Sequence, residues 1–210
     1  YALWSLKNIY YINNNHDLES LITSNEYNKY DEIILNADLD LQNAELTPFS
    51  NFRTYFNGNY HTISNIKILN SGGLFSNTND SVIEKLGLIN VTVYTNGDSA
   101  GGLIGRATDT IIKECFTSGI VKAENYNGGS SDLRSHAGGL VGSCNSNMEI
   151  LNCYSTCEVI SKANLYAYSG GLIGKYVPYS VSSLKIDNSF ATGKIVSYSI
   201  SSCSDSRSYS

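Results

Sequence analysis

The chain has 210 residues, is 41% hydrophobic and 16% charged, and carries a formal net charge of −5. That length supports one sizeable core. Lys and Arg are scattered within a net-negative chain, which argues against nucleic acid as a partner. No run of 18 apolar residues is present to span a membrane. Gly, Asn, Ser and Tyr are abundant and Pro is nearly absent. Asn, Ser and Gly suit turns, and Tyr suits strands. The first residue is Tyr1 rather than Met, so the expectation is a processed product or an excised piece.

Residues 1–30 read as a lead-in that covers the start of the fold. Tyr10-Tyr11-Ile12 suits a short strand. Leu18, Leu21 and Ile22 fall on one face of a helix expected from about His16 to Ser24, with Asn15 or Asp17 as its cap. A helix this short is marginal alone and must rest on something. From residue 31 the pattern becomes that of strands. Ile63, Ile66 and Ile68 read as one alternating strand after Phe56-Asn57-Gly58-Asn59.

The dominant signal is a repeat. Gly-Gly-Leu stands at 72, 101, 138 and 170, and the second glycines, Gly73, Gly102, Gly139 and Gly171, are 29, 37 and 32 residues apart. A period in this range means stacked units, each unable to bury its apolar face alone. An isoleucine follows each motif: Ile83, Ile112, Ile150 and Ile186. Three residues beyond it stand Leu86, Cys115, Cys153 and Ser189. Spacing of three breaks strand alternation, so a corner is expected, with Asn152 and Asn188 suited to its left-handed backbone. Alternation then resumes. Leu86, Leu88, Asn90 and Thr92 align with Cys115, Thr117, Gly119 and Val121 as an inward set. Phe116, Tyr154 and Phe190 form an outward column. Like residues then stack on like at the spacing of parallel strands, about 4.8 Å. Leu103 and Ile104 are adjacent and both apolar, so either the chain bends there or one of them lies outside.

These motifs resemble the GLUG repeat, named for its Gly-Leu-x-Gly core. Leu103-Ile104-Gly105, Leu140-Val141-Gly142 and Leu172-Ile173-Gly174 carry that core. Cys115-Phe116-Thr117-Ser118-Gly119 and Cys153-Tyr154-Ser155-Thr156-Cys157 are similar to the family's Asn-Cys-Tyr-Ala-Thr-Gly segment. Leu35 to Leu41 and Phe56 to Ile63 resemble its upstream strands. Ser76, Asn57 and Tyr60 depart from the pattern, which has Gly, Asp and Gly there. The resemblance covers roughly 30–200. It implies an all-β fold, a right-handed parallel β-helix of about five coils over 31–210 behind the lead-in. It also implies a module of a large secreted or cell-surface protein, such as adhesins and the non-catalytic regions of IgA-cleaving metalloproteases. It brings no catalytic residues and no cofactor.

Other candidates weigh less. Asp38 and Asp40 have the oxygen chemistry for calcium, but ordinary strand-end solvation explains them, and no metal site is expected. His61 lacks a neighbour at ligand spacing. Asn79-Asp80-Ser81 and Asn90-Val91-Thr92 match glycosylation acceptors. Of five cysteines, Cys115 and Cys153 suit packing, and Cys144, Cys157 and Cys203 admit one disulfide. No catalytic motif appears, and Glu114, Asn152 and Asn188 align without forming a carboxylate column. The expected function is thus a structural extracellular module: a stalk, adhesin segment or filament unit. The alternatives are a glycan-binding or polysaccharide-cleaving β-helix, or the accessory domain of a surface protease. Phe116, Tyr154 and Phe190 are the candidate ligand or partner surface, with glycans as the candidate ligand. The final coil is expected to meet further chain or a neighbouring subunit.

Overall fold

The computed structural model describes residues 6–125, 134–178, 181–199 and 207–209. These residues form an all-β fold with one short α-helix, and every strand pairing among them is parallel. Three sheets result, and in each the neighbouring strands come from successive repeats. The arrangement is β-helix-like.

One sheet runs through Ile9–Ile12, Glu32–Leu35, Tyr55–Asn57, Phe75–Glu84, Ile104–Lys113, Val141–Cys144 and Ile173–Tyr176, with Met148–Leu151 and Leu184–Asp187 continuing its far end. Ile112 pairs with Ile83 on one side and Ile150 on the other, and all three are buried. Ile186 continues the ladder beside Ile150 but is 45% exposed. Position in the repeat is the same; what differs is that no described strand lies beyond Ile186.

The corner after these isoleucines is left-handed in every copy. Lys85, Glu114, Asn152 and Asn188 have φ of 54°, 51°, 55° and 46°. Tyr60, where the resembling repeat has glycine, likewise takes φ 64°. Leu103 and Ile104 are both fully buried, because the chain bends between the Ser99–Gly101 and Ile104–Lys113 strands.

Two strands depart from the alternation expected of them. Asn90 and Thr92 do not face inward. The register slips by one residue between Thr117 and Gly119, so Val91 and Val93 pair with Gly119 and Val121 and take the buried places. Asn90 is the extra residue, left-handed at φ 53° and exposed. Ile63, Ile66 and Ile68 are also not one strand. Asn65, at φ 53°, divides Thr62–Ser64 from Lys67–Leu69, and this corner lets all three isoleucines point inward.

The lead-in helix spans Asn15–Ser24. Its cap is Asn14, not Asn15 or Asp17: the Asn14 side chain accepts from the Asp17 amide. Leu18, Leu21 and Ile22 enter the same continuous core as the strands. The core beside this end is aromatic, with Tyr27, Phe49, Phe52, Phe56 and Phe75 buried in mutual contact.

Candidate functional site

The outward aromatic column is a stack of rings. Phe116 and Tyr154 lie 5.0 Å apart with planes 3° from parallel, and Tyr154 and Phe190 lie 5.3 Å apart at 7°. The strand register places the three residues side by side. Stacking presents mainly ring edges to solvent, and the full face lies open only at the end of the ladder, where Phe190 is 56% exposed. The column's chief product is therefore cohesion between successive repeats.

The repeated glycines have a definite packing role. Gly102 and Gly139 face the next repeat: a Cβ on Gly102 would meet the Gly139 carbonyl at 2.4 Å, and one on Gly139 would meet the Gly171 carbonyl at 2.1 Å. Gly171 packs on Ala191, and Gly73 sits against the Gly101 carbonyl. The closing glycines of the motif do something further. A Cβ on Gly142 would lie 2.7 Å from the Ala100 backbone, and one on Gly174 would lie 2.6 Å from the Ala137 carbonyl. Two walls of the corner thus touch backbone to backbone.

Those walls enclose a cleft. One carries Ser99, His136 and Tyr168 in register, and the other carries Arg106, Ser143 and Lys175. Ser99 and Ser143 hydroxyls meet across the floor at 2.9 Å. Ser99 also lies 3.3 Å from Nδ1 of His136. The cavity has a volume of about 390 Å³, and Asp98, Arg106, Arg134, His136, Ser143 and Lys175 are among its lining residues. At its mouth Arg106 grips Asp98, with Nη2 2.7 Å from both carboxylate oxygens. Lys175 stands 4.5 Å from the centre of the Tyr168 ring, and Arg134 stands 5.4 Å from that of Tyr166.

His136 is 8% exposed, and its Nε2 is buried without a hydrogen-bond partner among the described residues. Burial, followed by the positive charge of Lys175, pushes its pKa down to about 4, so the ring is neutral at neutral pH. Cys144 also lines the cleft, but it is buried and its thiol donates to the Ser146 carbonyl; burial holds its pKa up, which is the wrong direction for a nucleophile. No catalytic or binding motif in the sequence marks this site. One signal was present: Asn77, Arg106, Ser143 and Lys175 all follow the motif's fifth position, so a polar column could have been drawn there.

The remaining candidates have structural partners. Asp38 accepts from the Thr62 amide and hydroxyl and lies 3.3 Å from His61 Nδ1. The Thr62 amide chiefly holds its carboxyl below the usual range. Asp40 accepts from Asn65 and Gln42. Among the described residues no three His, Cys, Asp or Glu side chains gather as a metal site would require. Asn90 is exposed, but its side-chain nitrogen donates to Asn65; Asn79 is half-buried inside a strand. Cys144 and Cys157 are free and buried, so the disulfide considered between them is not formed; Cys203 lies outside the described residues.

No protein-family model matches the chain. No curated protein matches it either. Among solved structures, it is similar to a crystal structure from Bacteroides ovatus described provisionally as an immunoglobulin A1 protease. The TM-score is 0.63 and the identity 19%, over 95% of this chain and 73% of that one. A likeness at this identity speaks to fold alone. No helix among the described residues is long and apolar enough to cross a membrane.

Proposed function

We propose that this chain is a non-catalytic structural module of a secreted or cell-surface protein, built as a right-handed parallel β-helix of about five coils with GLUG-like repeats. One observation carries the reading: aliphatic, aromatic and amide side chains are spent on their counterparts in adjacent repeats. Ile112 stacks between Ile83 and Ile150, Tyr154 between Phe116 and Phe190, and the Asn188 amide donates to Asn152 at 2.7 Å. Such a rod suits a stalk, adhesin segment or filament unit.

Its last coil is the point of continuation. Among the described residues no strand covers the far edges of Ile173–Tyr176, Leu184–Asp187, Phe190–Ala191 or Ile195–Ser199. Open parallel edges with exposed Ile186 and Phe190 invite further chain or a neighbouring subunit. The fold likeness supports a second reading, a non-catalytic module within a larger surface protease.

The location is tested on intact source cells with an antibody to this chain. Labelling of unpermeabilised cells, removed by external protease, is expected. Signal seen only after lysis would contradict the proposal.

A further inference from the structure

We propose that Asn96 is a self-modifying site, where the Gly97 backbone nitrogen attacks the Asn96 side-chain amide and converts it, through a succinimide, into aspartate and isoaspartate. This goes beyond the structural role and does not depend on it. The bond from the Gly97 nitrogen to Asn96 Cγ forms as the Cγ–Nδ2 bond breaks. The departing nitrogen takes the proton of the Gly97 amide and leaves as ammonia. Water then opens the five-membered ring at either carbonyl. Solvent is the sole co-reactant, and the chain gains one negative charge.

Three Asn-Gly pairs occur in the sequence: Asn57-Gly58, Asn96-Gly97 and Asn127-Gly128. The last lies outside the described residues. Asn96 and Gly97 are both exposed, in the short turn between the Gly87–Thr95 and Ser99–Gly101 strands. The Gly97 amide donates to the Thr95 hydroxyl at 2.9 Å, a side chain that can rotate away. A Cβ on Gly97 would meet nothing nearer than that hydroxyl, at 3.1 Å, so the backbone has room to turn towards Cγ. The Tyr94 hydroxyl donates to Asn96 Oδ1 at 2.6 Å, where negative charge develops during attack. Among the described residues no hydrogen bond holds Nδ2, the leaving nitrogen. The new carboxylate would stand beside the hollow that Thr95, Gly97, Asp98 and Arg106 line, and isoaspartate would add a carbon to the backbone of the turn.

Asn57-Gly58 has the same chemistry and the opposite packing. Asn57 is half-buried at the end of the Tyr55–Asn57 strand. Its Nδ2 donates to Glu32 at 3.1 Å, and its Oδ1 accepts from the Asn59 amide at 2.9 Å. The Gly58 amide donates to the Glu84 carbonyl at 2.8 Å, a backbone bond between repeats. A Cβ on Gly58 would lie 2.3 Å from the Lys85 carbonyl, so this stretch is pressed against the next repeat. Ring closure at 57 must break that backbone bond and move a close-packed chain. The fold therefore protects one pair and leaves the other reactive.

The test is peptide mapping by mass spectrometry of the 210-residue chain, aged at mildly alkaline pH in the folded state and in urea. The map reads Asn57, Asn96 and Asn127 separately. In the folded chain, loss of ammonia at Asn96 is expected to be at least about tenfold faster than at Asn57. In urea the two rates should agree within about threefold, because sequence neighbours alone then decide them. The variant Gly97→Ala should slow the loss at Asn96 about tenfold or more, since a Cβ stiffens the attacking backbone. The comparison of the two sites uses the unmutated chain and stands whether or not that variant folds. Equal rates at the two sites in the folded chain, faster loss at Asn57, or a difference that persists in urea would each overturn the proposal. So would an Asn96 that stays intact while the unfolded chain reacts.

Discussion

Gly87 lies directly beneath the ring of Phe116, where a Cβ would come within 2.4 Å of Cζ. The two residues are strand neighbours, so the ring leans over a residue that has no side chain. The aromatic stack thus begins on a glycine, and Tyr154 and Phe190 follow the tilt that Gly87 permits. Gly87→Ala should push the Phe116 ring out of its parallel stack and cost about 1–3 kcal/mol. The cost should shrink in the Phe116→Ala background. A double-mutant cycle from urea unfolding measures this, and additive effects would show that the contact carries no coupling.

The isoleucine ladder gives a graded expectation. Ile112→Ala should cost about 2–5 kcal/mol, since it opens a cavity in a sealed core. Ile112→Asp should cost more, by burying an unpaired charge. Ile186→Ala should cost below about 1 kcal/mol, because that side chain is already 45% exposed. Equal losses at Ile112 and Ile186 would contradict the burial gradient.

Glycines in the corner should differ just as sharply. Gly139→Ala would place a Cβ 2.1 Å from the Gly171 carbonyl, a backbone atom that cannot swing aside. Several kcal/mol of destabilisation, or failure to fold, is expected. At Gly97 the nearest atom is a threonine hydroxyl at 3.1 Å, so Gly97→Ala should be tolerated within about 1 kcal/mol. Thermal melts of the two variants check this.

His136 sets a pH dependence. Its pKa is about 4 in the folded chain against 6.5 for the free side chain, so protons favour the unfolded state. Stability should be complete above pH 6.5 and fall as pH drops towards 4, by on the order of 3 kcal/mol. Lys175, Arg106 and Arg134 reinforce the depression, and Asp98 opposes it. His136→Gln should flatten the slope between pH 6.5 and 4.5. An unchanged slope in urea midpoints would place the effect elsewhere.

What repetition makes legible in the sequence is which residues share a column. Ile83, Ile112 and Ile150 recur at one place in the motif, as do Phe116, Tyr154 and Phe190. Repetition is silent on burial at the end of a stack, because Ile186 has the same local sequence context and lacks only a neighbour. The inserted residue Asn90 is legible only in part: counting by two from Leu88 lands on Asn90 and Thr92, while the spacing of three from Leu88 to Val91 is the same break in alternation that marks the isoleucine corner. The cleft escaped for a different reason. Ser99 and Ser143 are 44 residues apart and meet only because Gly142 lets two backbones touch.

Sedimentation of the 210-residue chain over a wide concentration range tests most directly whether the proposed stack continues past its last described strands. The predicted result is reversible, concentration-dependent association that Ile186→Lys weakens without unfolding the chain, since Ile186 is 45% exposed on a strand that no further described strand covers. A single monomeric species at every concentration, identical for the wild type and Ile186→Lys, would contradict it.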